Sequence, residues 1–118
     1  MDGIKIAPKW YDLIEKNLES GDEIRRTYAG KLNGNGGYLC LSNRKLFFVL
    51  EEGFIRKTYN IALNLPYDEI DDVSPESRHN LKIKENKGRE HKFVALEVPA
   101  SIIERSFEEL TYIKRAAA

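Results

Sequence analysis

The residues that could do chemistry are few and are scattered along the chain. Cys40 lies between two leucines, which favours a buried structural thiol, because a reactive thiolate needs an exposed and electropositive setting. His79 and His91 have no cysteine or carboxylate at metal-ligand spacing, so no metal site is expected at either. No Ser-His-Asp or Cys-His motif is present, and we expect the protein not to be an enzyme.

Two short segments superficially resemble ligand-binding motifs. The glycine-rich run 33–37 lacks the Lys-Ser/Thr ending of a phosphate-binding loop and joins two predicted strands, so we interpret it as a flexible hairpin loop. The acidic residues Asp68, Glu69, Asp71 and Asp72 could bind a hard cation. A solvated strand edge that discourages aggregation is the favoured alternative. No metal or cofactor is therefore expected.

A basic cluster is the remaining candidate site. Lys82, Lys84 and Lys92 are predicted on the outward face of one hairpin, with Lys87 and Arg89 at its tip. Each cation near an anionic membrane is worth about 1 kcal/mol, so these five residues could give weak adhesion, which nearby acidic residues would reduce. A simple solvated surface is the alternative reading, and it is favoured.

Length and charge restrict the class of protein further. The chain has 118 residues, which fits one domain, and its 19 basic residues balance 19 acidic ones. Such balance does not favour nucleic acid as a partner, because nucleic-acid affinity comes largely from neutralising phosphates. A single cysteine and the lack of a signal peptide or of a long apolar run lead us to expect a cytoplasmic protein. Any membrane contact would be peripheral, at the inner membrane surface.

The pattern of apolar residues predicts which elements carry these side chains. A helix is predicted at about 8–19, a barrel of strands at about 23–96, and an amphipathic helix at about 99–115. The predicted strands are 23–32, 38–41, 46–50, 54–61, a bent strand over 67–73, and a final hairpin over 81–95. The last helix should bury Ile102, Ile103, Phe107, Leu110 and Ile113. We therefore predict a mainly β domain of seven antiparallel strands, with one helix at each end of the chain.

The run from Gly30 through Gly37 to Phe48 resembles the signature hairpin of the GRAM and bacterial pleckstrin-homology (PH)-like domains. The segments 59–70 and 81–93 resemble the middle and last parts of the same family, and the resemblance covers about residues 23 to 115. It implies a PH-like barrel that is capped by the C-terminal helix, with the N-terminal helix as an addition that covers one side. Its motifs consist of turn and core residues, so it implies an architecture more than an activity.

One departure from the family bears on the ligand. PH domains that bind phosphoinositides are usually basic around the first hairpin, whereas Arg25, Arg26 and Lys31 are the only cations near it here. We therefore expect a non-catalytic interaction module that binds a protein or peptide, including a second copy of itself, at an exposed sheet edge or in the groove beside its C-terminal helix. The alternative is a peripheral membrane module that binds anionic phospholipid head groups through Lys82, Lys84, Lys87, Arg89 and Lys92.

Overall fold

Seven strands and two helices build the part of the chain that a computed structural model describes, the backbone of residues 8–117 and the side chains of residues 8–112. The helices are α1 (Lys9–Glu15) and α2 (Ala100–Ala117). The strands are β1 (Ile24–Leu32), β2 (Asn35–Ser42), β3 (Lys45–Glu52), β4 (Thr58–Pro66), β5 (Ile70–Pro75), β6 (Asn80–Glu85) and β7 (Glu90–Ala95), and a 3₁₀ turn at Tyr67–Glu69 precedes β5. The predicted mainly β fold class, with an N-terminal and a C-terminal helix, is confirmed.

All seven strands form one antiparallel sheet in the order β4-β3-β2-β1-β7-β6-β5. Hairpins join β1 to β4 in succession and likewise β5 to β7, whereas β4 and β5 lie at opposite edges, and β1 with β7 is the long-range pair that unites the two halves. The sheet is not closed into the barrel predicted over about 23–96, because β4 and β5 each pair with one strand only. Helix α2 packs against β5 and β6 and adds Ala100, Ile103 and Leu110 to the main core.

The two apolar runs in β2 and β3 are buried on both faces of the sheet. Their inward side chains, Leu39, Leu41, Leu46 and Phe48, belong to the main core. Their outward side chains Cys40, Phe47 and Val49 form a second cluster with Ile14 of α1. The N-terminal helix therefore covers the outer face of β2, β3 and β4, which explains why these strands read as continuous apolar runs and not as alternating ones.

A β-bulge in β4 moves its apolar side chains from one face of the sheet to the other. Leu63 pairs with Phe48 and Ile61 pairs with Val49, so Ala62 is one residue extra. Without the bulge, Ile61 and Leu63 would lie on the same face, because side chains alternate along a strand. With it, Ile61 packs in the outer cluster, whereas Leu63 belongs to the main core.

Three local predictions need correction. Residues 33–37 are not a flexible loop: Asn33 and Gly34 alone form a tight turn with φ of 49° and 88°, and β2 begins at Asn35. The predicted strand 54–61 is displaced, since β4 begins at Thr58 and residues 54–57 form a bend. Helix α1 ends at Glu15, earlier than the predicted end at residue 19. Just after this end, the Asn17 side chain donates a hydrogen bond to the Leu13 carbonyl.

The other predicted elements agree closely with the structure. The bend expected in the strand predicted over 67–73 is present, because β5 has a register shift between Ile70 and Asp72. The final hairpin lies at β6 and β7, and helix α2 begins one residue later than predicted. On α2, Ile103 and Leu110 are buried as predicted, whereas Ile102 is 38% exposed, and the side chain of Ile113 lies outside the described residues.

Candidate interaction surfaces

The five predicted cations lie together on the β6–β7 hairpin, which we call the basic hairpin. Lys82 is directly opposite Lys92, and Lys84 is opposite Glu90. Lys87 and Arg89 are exposed in the connecting turn, where Gly88 has a φ of 96°. The structure thus brings the predicted residues to one hairpin.

Acidic side chains neutralise part of the basic hairpin. The Lys92 ammonium lies 2.5 Å from a carboxylate oxygen of Glu76, and that of Lys84 lies 4.0 Å from Asp71. Lys82, Lys87 and Arg89 make no ion pair with the described residues. Adhesion of this hairpin to an anionic surface stays a prediction, and it rests on three unpaired cations and not five.

His91 ties the basic hairpin to the β1–β2 turn. Its Nε2 atom lies 2.6 Å from a carboxylate oxygen of Glu85, and its Nδ1 atom lies 3.4 Å from the side-chain nitrogen of Asn33. Asn33 also accepts a hydrogen bond from the backbone N–H of Lys92. His91 is only 6% exposed, so this arrangement fixes one rim of a cavity of about 310 Å³.

The cavity beside His91 has an apolar floor and a polar rim. Leu32, Phe48 and Leu50 contribute the apolar side chains, whereas Asn33 and Arg89 are among the polar ones. The contacts of His91 with Glu85 and Asn33 were not predicted from the sequence, because Asn33 is 58 residues away from His91 along the chain. The alternation of His91 with Phe93 and Ala95 was the one available signal that this side chain faces inward.

The outward edge of β4, which we call the β4 edge, is the most open part of the sheet. Thr58, Asn60, Ala62 and Asn64 are exposed, and the strand has no charged residue over its nine positions. Within the described part of the chain, no backbone or side-chain hydrogen bond other than those with β3 reaches the backbone of this strand. An uncharged edge of this length is a template for another strand.

Helix α1 forms one wall of a groove that runs along the beginning of the β4 edge. The groove has a volume of about 420 Å³. Lys9, Asp12, Leu13 and Lys16 line it from the helix, and Lys57, Thr58 and Tyr59 line it from the strand side. Lys57 is paired with Glu51. Lys9 and Lys16 against Asp12 therefore leave a small positive excess that favours a negatively charged segment.

The opposite edge of the sheet, β5, carries features that disfavour pairing with another strand. It contains Asp71, Asp72 and Pro75, has a bulge, and lies under helix α2. Charged residues are one device by which natural edge strands avoid pairing. A proline and a bulge occur on both edges, at Pro66 and Ala62 in β4, so charge is what distinguishes β5. The acidic residues Asp71 and Asp72 therefore match the interpretation of a protected edge, and among the described residues no group of three or more acidic, histidine or cysteine side chains is arranged to bind a metal.

A polar cluster holds the loop between β3 and β4. Glu51 accepts hydrogen bonds from Lys57 at 3.0 Å and from the hydroxyl groups of Tyr59 at 3.1 Å and Tyr38 at 3.4 Å. The bond from Lys57 lowers the pKa of the Glu51 carboxyl, although burial acts in the opposite direction. Burial and the nearby carboxylate raise the pKa of Tyr59. The loop is therefore fixed at its base in the charged form of the Glu51–Lys57 pair.

Cys40 is a structural thiol in the outer cluster. It is fully buried, and burial raises its pKa to about 12, which leaves the thiol protonated and unreactive at neutral pH. This placement agrees with the interpretation of the sequence.

No protein-family model and no curated protein sequence matches the chain. A solved structure does: the crystal structure of the C-terminal domain of an unknown protein from Leishmania infantum superposes with a TM-score of 0.58 and 13% sequence identity, over 78% of this chain and 87% of that one. At this identity the likeness supports the fold alone. Within the described residues, no helix is both long and apolar enough to span a bilayer.

Proposed function

We propose that the protein is a non-catalytic interaction module of the PH-like type, and that it binds an extended segment of a partner protein as an additional strand along the β4 edge. The observation that carries the proposal is the contrast between the two edges of the sheet. The two edges differ in charge: the β4 edge is uncharged, whereas β5 presents Asp71 and Asp72 at exposed positions. Each edge strand has a proline, a bulge and a helix packed against it, so the contrast rests on charge.

The lining of the groove indicates the chemistry of the partner. In strand addition the main chain supplies affinity and the side chains beside the edge supply specificity. Lys9 and Lys16 lie beside the first residues of β4 with Asp12 as the opposing charge. Lys57 is paired with Glu51. An acidic extended segment fits this surface best.

The proposal can be tested by selecting short peptides that bind the purified protein from a random displayed library. We expect the selected peptides to be acidic and extended, and to protect backbone amides of β4 from hydrogen exchange while leaving β5 unchanged. The charge-reversed variant K9E/K16E should weaken binding by about tenfold, because two attractive contacts become repulsive. K82E/K87E makes the same change of charge on the basic hairpin and should leave binding within about twofold.

Three results would contradict the proposal: no enrichment of peptides, protection of strands other than β4, or greater sensitivity to K82E/K87E than to K9E/K16E. Light scattering of the free protein separates a second copy of the chain from a foreign partner. Concentration-dependent dimers with protected β4 amides would assign the edge to self-association.

A further inference from the structure

Two large apolar side chains project from the loop between β3 and β4. Phe54 is 98% exposed and Ile55 is 96% exposed, which are the highest values among the large apolar residues described. The sequence pattern placed both in the strand predicted over 54–61, so their exposure is a finding of the structure. We call this pair the apolar tip.

The loop holds the apolar tip outward in a tight turn. Gly53 has a φ of 103°, and a Cβ atom built on it would lie 2.0 Å from the carbonyl oxygen of Arg56. The backbones on the two sides of the tip are therefore in contact, and the Glu51–Lys57 ion pair closes the turn at its base. In this turn the apolar side chains do not reach the core.

The apolar tip is too small for a stable protein interface of its own. Such interfaces bury about 800 Å² on each partner, whereas a large aromatic side chain buries about 150–250 Å². The residues beside the tip, Glu52, Arg56 and Lys57, are polar and exposed, so the apolar surface does not extend beyond it. A lipid bilayer imposes no such area requirement, because each side chain that enters it transfers independently from water.

The charges around the apolar tip fit the interface of a membrane. Arg56 and Lys57 follow the tip directly, and Lys57 shares its groove with Lys9 and Lys16. Asp12, Glu51 and Glu52 oppose these four cations, which leaves a small positive excess. The attraction to anionic lipids is therefore modest, and the apolar side chains must supply most of the binding.

We propose that the apolar tip, Phe54 and Ile55, inserts into the interfacial region of a lipid bilayer and gives the protein a weak, reversible membrane contact. This contact uses other apolar side chains than strand addition at the β4 edge, although Lys9, Lys16 and Lys57 lie beside both, and it differs in surface from the basic hairpin. We expect membrane binding to depend more on these apolar side chains than on salt or on anionic lipid.

Co-sedimentation of the full chain with phosphatidylcholine vesicles, with and without about 30% phosphatidylserine, tests the inference. We expect partitioning at millimolar lipid, with a preference for the anionic vesicles of about fivefold. F54S/I55S should reduce the partition coefficient by at least about tenfold on both vesicles. Tyr112, which is 74% exposed on helix α2, supplies the control, and Y112S should bind as the original protein does.

A second variant reports the position of the tip directly. F54W should show fluorescence quenching by brominated lipids beyond that of the original protein, whose Trp10 is stacked on Tyr38. The inference is overturned if the protein does not partition, if F54S/I55S binds unchanged, or if F54W is not quenched. Loss of binding in K82E/K87E with F54S/I55S unaffected would transfer the membrane contact to the basic hairpin.

Discussion

At the scale of single residues, close approach of backbones explains which glycines the fold requires. A Cβ atom on Gly30 would lie 2.3 Å from the ring of Phe93 and 2.4 Å from the carbonyl oxygen of Val94. Gly36, in the neighbouring strand, has no heavy atom within 4 Å of the same position. The two glycines look alike in sequence, but only Gly30 lies at a point of contact between β1 and β7.

The prediction at this scale compares G30A with G36A. We expect G30A to lower the free energy of unfolding by about 1–3 kcal/mol, because the added methyl group overlaps backbone that cannot move freely. G36A should be neutral or stabilising by up to about 1 kcal/mol, since alanine loses less entropy than glycine in a strand. Urea unfolding followed by Trp10 fluorescence measures both, and equal effects would contradict the assignment of Gly30 to a close contact.

At the scale of elements, the N-terminal helix is an integral cover of the sheet. Ile14 is fully buried against Cys40, Phe47 and Val49, and Trp10 stacks on Tyr38 with ring centroids 4.4 Å apart. A helix of seven residues is not stable alone in water, so packing of this face holds it in place. The same helix forms the wall of the groove beside the β4 edge.

Ile14→Ala tests the packing of α1, with Cys40 as a built-in reporter. The substitution should destabilise the protein by about 2–5 kcal/mol and should speed alkylation of Cys40, because loosening α1 uncovers the thiol. Lys9 is exposed on the same helix, and K9A should change neither quantity appreciably. A Cys40 labelling rate that is unaltered in I14A would mean that α1 does not protect this face.

At the scale of the whole molecule, the two apolar clusters share the same strands. Strands β2, β3 and β4 each contribute one set of side chains to the main core and another to the outer cluster. Loss of either cluster therefore removes support from strands that the other needs. The single domain over residues 1–118 and membership of the PH-like family stay predictions.

We expect the chain to unfold in one cooperative transition. Trp10 fluorescence and Cys40 alkylation report on the outer cluster, whereas far-ultraviolet circular dichroism reports on the sheet as a whole. The three transitions in urea should coincide within error. A Trp10 transition at clearly lower urea would show instead that α1 separates before the sheet unfolds.

Much of the fold could be read from local patterns. The β6–β7 hairpin follows from the alternation of Leu81 with Ile83 and of His91 with Phe93, and all four side chains are buried. The amphipathic period likewise located helix α2 to within two residues at either end. These features depend on neighbours a few positions apart, which is why the sequence alone determined the order and type of most elements.

The surfaces on which function is proposed were decided by tertiary structure. Ala62 shifts β4 by one residue through pairing with β3, and α2 covers β5 but leaves the β4 edge open. Phe54 and Ile55 look like strand residues until the turn at Gly53 places them in solvent. Pairing and coverage arise between segments far apart in the chain, and no local periodicity records them. The sequence by itself therefore determined a mainly β fold, and only the assembled sheet decided which strands lie at its edges and which side chains are exposed.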